Sequence, residues 1–170
     1  SLGSYANKPW TQNQKIYAAM IERLDFNVGR IMSTLENLGI DQNTLIVFTS
    51  DNGPEICCTE SLDMESLFDT NGPLRGYKGS LYEGGIRVPF IFRWPGKIPA
   101  GTVSTEPMAG FDLMPTIAQI AGTNPPVGID GISIVPSLFG TGNISREYLY
   151  WEIPQSQGAR TQAIRIGDCL

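Results

Sequence analysis

Two oxygen-bearing side chains, Asp51 and Asn52, directly follow an apolar segment with the sequence TLIVFTS. The β-branched and apolar residues of that segment predict a buried strand, and ligand sites in open α/β sheets form beyond the carboxyl ends of strands. Asp and Asn oxygens are hard ligands that suit Ca²⁺ or Mg²⁺. The same two residues, followed by Gly53 and Pro54, are also typical of a plain turn. By themselves, these residues leave both the metal site and the turn open.

A second candidate is Lys78, which lies between Gly76 and Gly79 in the segment RGYKGSLYEGGIRVP. Glycines let a backbone approach a ligand closely, and a lysine there can meet an oxyanion as a point charge. The segment is not a Walker loop, because the order G-x-x-x-x-G-K-S/T is missing. A solvated surface lysine is the alternative. Glu83 and Arg87 are four residues apart, a spacing that favours a local ion pair.

Composition and charge exclude several classes of function. The sequence contains no histidine and three cysteines without a C-x-x-C pair, which argues against a zinc site and excludes a Ser-His-Asp or Cys-His arrangement within this chain. Cys57 and Cys58 could react near a cation, but incidental cysteines are the simpler interpretation. The net charge of −5, without any basic run, argues against a nucleic-acid partner. No segment is apolar enough over its length to span a membrane.

A long amphipathic helix is predicted from Thr11 to Leu38, with a capping box formed by Thr11 and Gln14 and a stop at Gly39. We interpret it as a helix that covers a core, because apolar residues recur at spacings of three and four. These residues are Ile16, Met20, Leu24, Val28, Ile31, Leu35 and Leu38.

The remaining pattern predicts an α/β fold with a mostly parallel sheet flanked by helices. Its two buried strands are Leu45–Ser50 and Val88–Arg93, and its helix is Asp112–Ala121. The C-terminal hairpin consists of Tyr148–Ile153 and Ala163–Ile166. Asp112 is the predicted N-terminal cap of its helix. The polar segment Asn52–Tyr82 has no clear period and is predicted to be a long functional or mobile loop. The domain prediction is a main α/β unit over residues 1–142 and the start of a small antiparallel subdomain over 143–170.

Taken in order, the segments of this chain resemble the sulfatase family of the alkaline phosphatase-like superfamily, over Tyr17 to Asp168. The resemblance implies that fold and the cleavage of sulfate esters on an aryl sulfate or a sulfated glycan. It also implies a periplasmic, secreted or lysosomal location. The matching segments are YAAMIERLDFNVGRIMSTLENLG, TLIVFTSDNGPE, GPLRGYKGSLYEGGIRVPFIFRWPGKI, FDLMPTIAQIAG with IDGISIVPSLFG, and REYLYWE with AIRIGD.

The resemblance assigns roles to three residues. Asp51 and Asn52 match the family's Asp-Asn pair, which binds a divalent cation, usually Ca²⁺, with Mg²⁺ as the alternative. Lys78 matches the lysine that contacts the sulfate group, and is the expected catalytic and substrate-binding residue. A cation and a fixed lysine stabilise the negative charge that develops when a sulfate ester is cleaved.

The chain departs from the family pattern in several ways. The first concerns the family's nucleophile, a formylglycine made from the Cys or Ser that opens a C/S-x-P-S/A-x-R motif. No such motif occurs here, since Cys57 and Cys58 are followed by TESLD. The family's N-terminal Asp pair and active-site histidines are also absent. We therefore expect a fragment that is inactive by itself, with the formylglycine in a missing N-terminal part. A phosphoesterase of the same superfamily and a non-catalytic pseudo-sulfatase that binds its ligand are the alternatives.

Overall fold

The computed structural model describes residues 2–56, 59–156 and 159–167, and it mixes helices with strands. No helix within these ranges combines the length and the apolar character needed to cross a membrane. The elements in chain order are α1 (Gln12–Asn37), β1 (Ile46–Thr49), α2 (Thr59–Phe68), α3 (Glu83–Ile86), β2 (Phe90–Arg93), α4 (Leu113–Ile120), α5 (Val135–Leu138), β3 (Leu149–Ser156) and β4 (Ala159–Arg165).

The chain divides into two compact units. The first comprises the residues up to Thr44 together with Phe48–Ile91, and the second comprises Leu45–Val47 together with the residues from Phe92 onward. Strands β1 and β2 hydrogen-bond as a two-stranded sheet, and each unit includes part of both strands. The domain boundary between residues 142 and 143 stays a prediction.

Helix α1 begins where the sequence predicts. The Thr11 hydroxyl accepts a hydrogen bond from the Gln14 backbone N–H at 3.2 Å, and the Gln14 side chain accepts one from the Thr11 N–H at 3.0 Å. These reciprocal bonds satisfy two of the donors that a helix start otherwise leaves without partners. The helix ends before Gly39, whose φ of +67° is the left-handed conformation that glycine adopts at little cost.

The core of the first unit forms where the start of α1 meets α2. The Gln14 amide donates to both the backbone carbonyl and the carboxylate of Asp63, at 2.9 and 3.0 Å. The Phe68 ring packs against Trp10 and Tyr17, with ring centroids 5.5 and 5.4 Å apart. The prediction of a loop throughout Asn52–Tyr82 was wrong, because α2 lies within it. Its apolar periodicity is weak, so packing against α1 rather than an amphipathic pattern stabilises this helix.

The apolar stripe of α1 does not cover a core in the described structure. Ile16, Met20, Leu24, Ile31 and Leu38 are between 41% and 65% exposed, whereas Gln14 and Ala18 are buried. The interpretation of the stripe as core-facing was therefore wrong.

The two strands are shorter and less buried than predicted. In β1, Ile46, Val47 and Phe48 are half-buried rather than buried, and in β2 the side chain of Ile91 is 56% exposed. A two-stranded sheet leaves part of each face uncovered, which explains the difference. Strand β2 begins only after Pro89, which has no backbone N–H to donate to a ladder.

A buried carboxylate, Asp112, organises the second unit. It accepts hydrogen bonds from the backbone N–H groups of Ala109 and Ile132 at 2.9 and 3.0 Å, and Arg146 Nη2 lies 2.5 Å from it. Asp112 is fully buried, and the Arg146 side chain is 11% exposed. Because the Thr116 hydroxyl donates to the Asp112 carbonyl, the first turn of α4 joins the same network.

The expected cap at Asp112 is only half correct. Asp112 does occupy the position before α4, but its side chain makes no capping bond to that helix. The residue closes the short 3-10 turn Gly110–Asp112 and has a helical backbone, with φ −75° and ψ −17°. An N-cap side chain needs an extended backbone to reach back to its helix, so the carboxylate bonds elsewhere.

The C-terminal hairpin is confirmed. Strands β3 and β4 pair in antiparallel register, with Leu149 opposite Arg165 and Trp151 opposite Ala163. Both strands extend further toward their connection than the sequence pattern predicts. Leu149, at the start of β3, is buried and anchors the hairpin in the second unit.

Replacing Asp112 by Ala should lower the free energy of unfolding by roughly 3–5 kcal/mol, because it leaves the Arg146 charge buried without its carboxylate. Urea denaturation would measure this loss. The matched control is Asp130→Ala, which removes an exposed carboxylate and should change stability by less than about 0.5 kcal/mol. Equal denaturation midpoints for the two variants would contradict a structural role for the buried pair.

Candidate functional site

The residues after β1 form the predicted turn. The Ser50 hydroxyl donates to the Asn52 carbonyl, and the Asn52 side-chain amide donates to the Gly53 carbonyl, both at 2.9 Å. Asp51 is exposed and Asn52 is half-buried. The Asn52 amide nitrogen donates within the turn, and its Oδ1 is the atom that could bind a hard cation. Asp51 and Asn52 thus each keep a side-chain oxygen that suits a hard cation.

Two backbone hydrogen bonds connect this turn to the segment that carries Lys78. The Gly53 N–H donates to the Gly85 carbonyl at 3.0 Å, and the Lys78 N–H donates to the Pro54 carbonyl at 2.9 Å. A Cβ atom at Gly53 would overlap the Gly84 carbonyl, so only glycine permits this approach. The structure therefore brings together the two segments that the sequence singled out separately.

Lys78 lies in a tight turn with an acidic neighbour. The Ser80 N–H donates to the Tyr77 carbonyl at 2.9 Å, and Gly79 adopts a φ of +86°. The Lys78 ammonium lies 3.2 Å from the Glu55 carboxylate, with the two side chains 47% and 51% exposed. The lysine is therefore held at the surface by a carboxylate from the Asp51 segment, where a dissolved anion can reach it.

Asn71 holds the backbone that leads into this turn. The sequence pattern did not single it out. It is buried, and its side-chain amide donates to the Leu74 carbonyl at 2.8 Å and to the Gly76 carbonyl. The Gly84 N–H donates to the Arg75 carbonyl at 2.8 Å, which fixes the same stretch from the other side. The Asn-Gly pair at this point is a turn signal, but it gives no indication of what the amide would bond.

Tyr77, the neighbour of Lys78, is held in its neutral form. Burial raises the pKa of its phenol above the ordinary 10.0, and the negative charges of Glu65 and Asp69 raise it further. The phenol O–H donates to the Glu65 carboxylate at 3.4 Å, which also accepts from the Thr70 N–H at 3.0 Å. The tyrosine thus acts as a neutral donor that ties the turn to α2.

Two further predictions concern acidic and sulfur-bearing side chains. Glu83 and Arg87 form the expected ion pair, with 3.2 Å between nitrogen and oxygen. Cys57 and Cys58 lie outside the described residues.

In the part of the chain that the structure describes, no three His, Cys, Asp or Glu side chains gather as a metal site. Asp51 and Asn52 suit a hard cation chemically, but Ca²⁺ takes six to eight oxygens, so these two would be part of a larger ligand set.

Comparison with known proteins identifies related sequences. The Sulfatase family model matches residues 4–123. N-acetylgalactosamine-6-sulfatase of Canis lupus familiaris is 34% identical over 96% of this chain and 30% of its own length. Human arylsulfatase A is 42% identical over 75% of this chain and 24% of its own length. The chain thus spans less than a third of these relatives.

Solved structures give the same result for the fold. Ps i-CgsB, solved in complex with k-i-k-neocarrahexaose, matches with a TM-score of 0.77 and 32% identity over 93% of this chain and 34% of its own. The phosphonate monoester hydrolase SpPMH from Silicibacter pomeroyi matches with a TM-score of 0.64 and 29% identity, over 82% of this chain and 25% of its own. The predicted alkaline phosphatase-like α/β fold is confirmed, and the chain belongs to the sulfatase family.

Proposed function

We propose that the protein hydrolyses sulfate esters by a metal-assisted mechanism, in which Asp51 and Asn52 bind Ca²⁺, or Mg²⁺, and Lys78 contacts the sulfate group. One observation carries this proposal: the Gly53–Gly85 and Pro54–Lys78 backbone bonds hold the lysine segment against the Asp-Asn turn. Membership of the sulfatase family supports the same reaction class. The activity of the whole protein is a proposal because this chain spans under a third of its relatives.

Each residue has a defined task in this proposal. Sulfate-ester cleavage increases negative charge on the sulfuryl oxygens and on the leaving oxygen. Lys78 donates N–H groups to the sulfuryl oxygens from a turn that is already ordered, so little reorganisation is needed during reaction. The Asp51 carboxylate and the Asn52 amide oxygen bind and orient the cation. When bound, that cation supplies Lewis-acid stabilisation of the same charge.

The nucleophile is not supplied by this chain in the proposed mechanism. The sequence has no C/S-x-P-S/A-x-R motif, and no described side chain occupies that role. We propose that a formylglycine elsewhere in the full-length protein performs the covalent step, and that this chain alone is inactive.

The proposed substrate is an aryl sulfate or a sulfated glycan. The name of the canine relative refers to a sulfated amino sugar, and Ps i-CgsB was solved with an oligosaccharide. The half-exposed Lys78 suits a sulfate group on a large molecule, because the rest of such a substrate can remain in solvent.

A phosphoesterase is the second candidate, favoured by the structural match to a phosphonate monoester hydrolase. Assaying the full-length protein on p-nitrophenyl sulfate and on a phosphonate monoester separates the two, with the isolated 170-residue chain assayed beside it. Sulfate turnover, with a formylglycine found by mass spectrometry, would support the proposal. Turnover of the phosphonate alone would favour the phosphoesterase. Turnover of neither, with an anion still bound, would favour a pseudo-sulfatase.

Replacing Asp51 by Ala should weaken calcium binding by about tenfold or more, because it removes the charged ligand, and should lower activity accordingly. Isothermal titration calorimetry of the full-length protein measures the affinity directly. Asp25→Ala is the control, since it removes an exposed carboxylate of α1 and should leave calcium binding unchanged. An unaltered affinity in the Asp51 variant would exclude this residue as a ligand.

Replacing Lys78 by Ala should cost roughly 2–4 kcal/mol of transition-state stabilisation, the scale expected when one preorganised donor is deleted. Its melting temperature should barely change, because the half-exposed pair with Glu55 contributes little to folding. Steady-state kinetics and a thermal melt of the same preparation measure both effects. Lys97→Ala, at an exposed lysine, is the control. Turnover near that of the control would reduce Lys78 to a surface charge.

Replacing Gly53 by Ala should lower both stability and activity, because the new methyl group would push the Asp-Asn turn away from Gly84 and Gly85. Gly29→Ala is the matched control: apart from the backbone of its own helix, no atom lies within 4 Å of its added Cβ, and alanine favours a helix by about 1 kcal/mol. Thermal melts should therefore shift in opposite directions for the two variants. A Gly53 variant with the stability and turnover of wild type would show that the glycine contact does not position the site.

A further inference from the structure

Among the residues that the structure describes, Glu55 is the acidic side chain that pairs with the proposed sulfate-binding lysine. Its Oε2 lies 3.2 Å from Lys78 Nζ. The backbone places these two residues next to each other. The residue before Glu55, Pro54, accepts the Lys78 backbone N–H at 2.9 Å, so the two side chains leave from adjoining points of bonded backbone.

We propose that Glu55 sets the charge preference of the site, favouring a singly charged sulfate ester over a doubly charged phosphate monoester. This inference rests on the proposed function, since it concerns the anion that Lys78 meets. It assigns Glu55 as a specificity-determining residue and not as a group that takes part in bond breaking.

The chemistry of the ammonium group allows both contacts at once. A lysine ammonium has three N–H donors, and the bond to Glu55 uses one of them. An incoming ester can therefore accept from Lys78 while the carboxylate stays in place. A bound anion then lies within a few ångströms of a fixed negative charge, because both share the same nitrogen.

The two ester classes respond differently to that charge. A sulfate ester carries one negative charge, whereas a phosphate monoester carries nearly two above its second pKa of about 6. Glu55 repels the doubly charged ester more strongly, so it lowers the binding of phosphate monoesters relative to sulfate esters. In half-exposed surroundings, one added unit charge at this distance corresponds to a discrimination of about three- to fivefold.

The test is the ratio of kcat/KM for p-nitrophenyl phosphate to that for p-nitrophenyl sulfate, measured in the full-length protein at pH 8. Glu55→Gln keeps the shape of the side chain and removes its charge, and should raise the ratio about three- to fivefold. Glu55→Asp retains the charge and should keep the wild-type ratio. Glu83→Gln is the matched control, because Glu83 also forms a 3.2 Å ion pair in the same unit, with Arg87.

A pH series distinguishes charge discrimination from a general structural effect. As the pH falls toward the second pKa of the phosphate ester, more of that ester carries a single charge, so the difference between Glu55→Gln and wild type should shrink. Where turnover of the phosphate ester falls below detection, its inhibition constant against sulfate hydrolysis replaces kcat/KM. If Glu55→Gln hydrolyses sulfate esters but leaves the ratio at pH 8 unchanged, this inference is wrong and the proposed function stands. A wild-type protein that hydrolyses no sulfate ester would overturn the proposed function instead.

Discussion

The contact between Gly53 and the Gly84–Gly85 pair is the constraint on which the candidate site depends. A side chain at Gly53 would overlap the Gly84 carbonyl, and one at Gly84 would overlap both the Asn71 amide and the Gly76 carbonyl. The backbone around Gly53, Gly76 and Gly84 therefore packs closely together. Because the bonds between them are main-chain bonds, the position of the Lys78 backbone relative to Pro54 does not depend on side-chain rotamers. This is how a site formed mostly from turns can be ordered before a ligand arrives.

The net charge that an anion meets at this site depends on several residues and not on Lys78 alone. The lysine faces Glu55, and Asp51 lies four residues earlier on the same segment. Each carboxylate reduces the attraction that the lysine exerts on an anion, so a cation held by Asp51 and Asn52 would restore the positive charge that a sulfate ester needs. Metal binding and anion binding are thus expected to be coupled through charge.

The Asp112–Arg146 and Lys78–Glu55 ion pairs differ in their surroundings. The Asp112–Arg146 pair is buried, and Asp112 also accepts two backbone N–H groups, so loss of either partner would leave a buried charge in the second unit. The Lys78–Glu55 pair is half-exposed and contributes little to stability, which leaves it available for binding. Burial, and not residue type, separates the structural pair from the candidate functional one.

The sequence by itself determined the features that depend on neighbouring residues. The capping box of α1, the Asp51–Asn52 turn, the Glu83–Arg87 pair and the C-terminal hairpin all involve short separations, where geometry follows directly from residue type. The order of the motifs was also enough to identify the family. Tertiary structure alone decided which segments meet, including α2 on α1, Glu55 at Lys78 and Arg146 at Asp112. It also decided that the apolar stripe of α1 is exposed. These contacts depend on the path of the whole chain, which periodicity and turn chemistry do not specify.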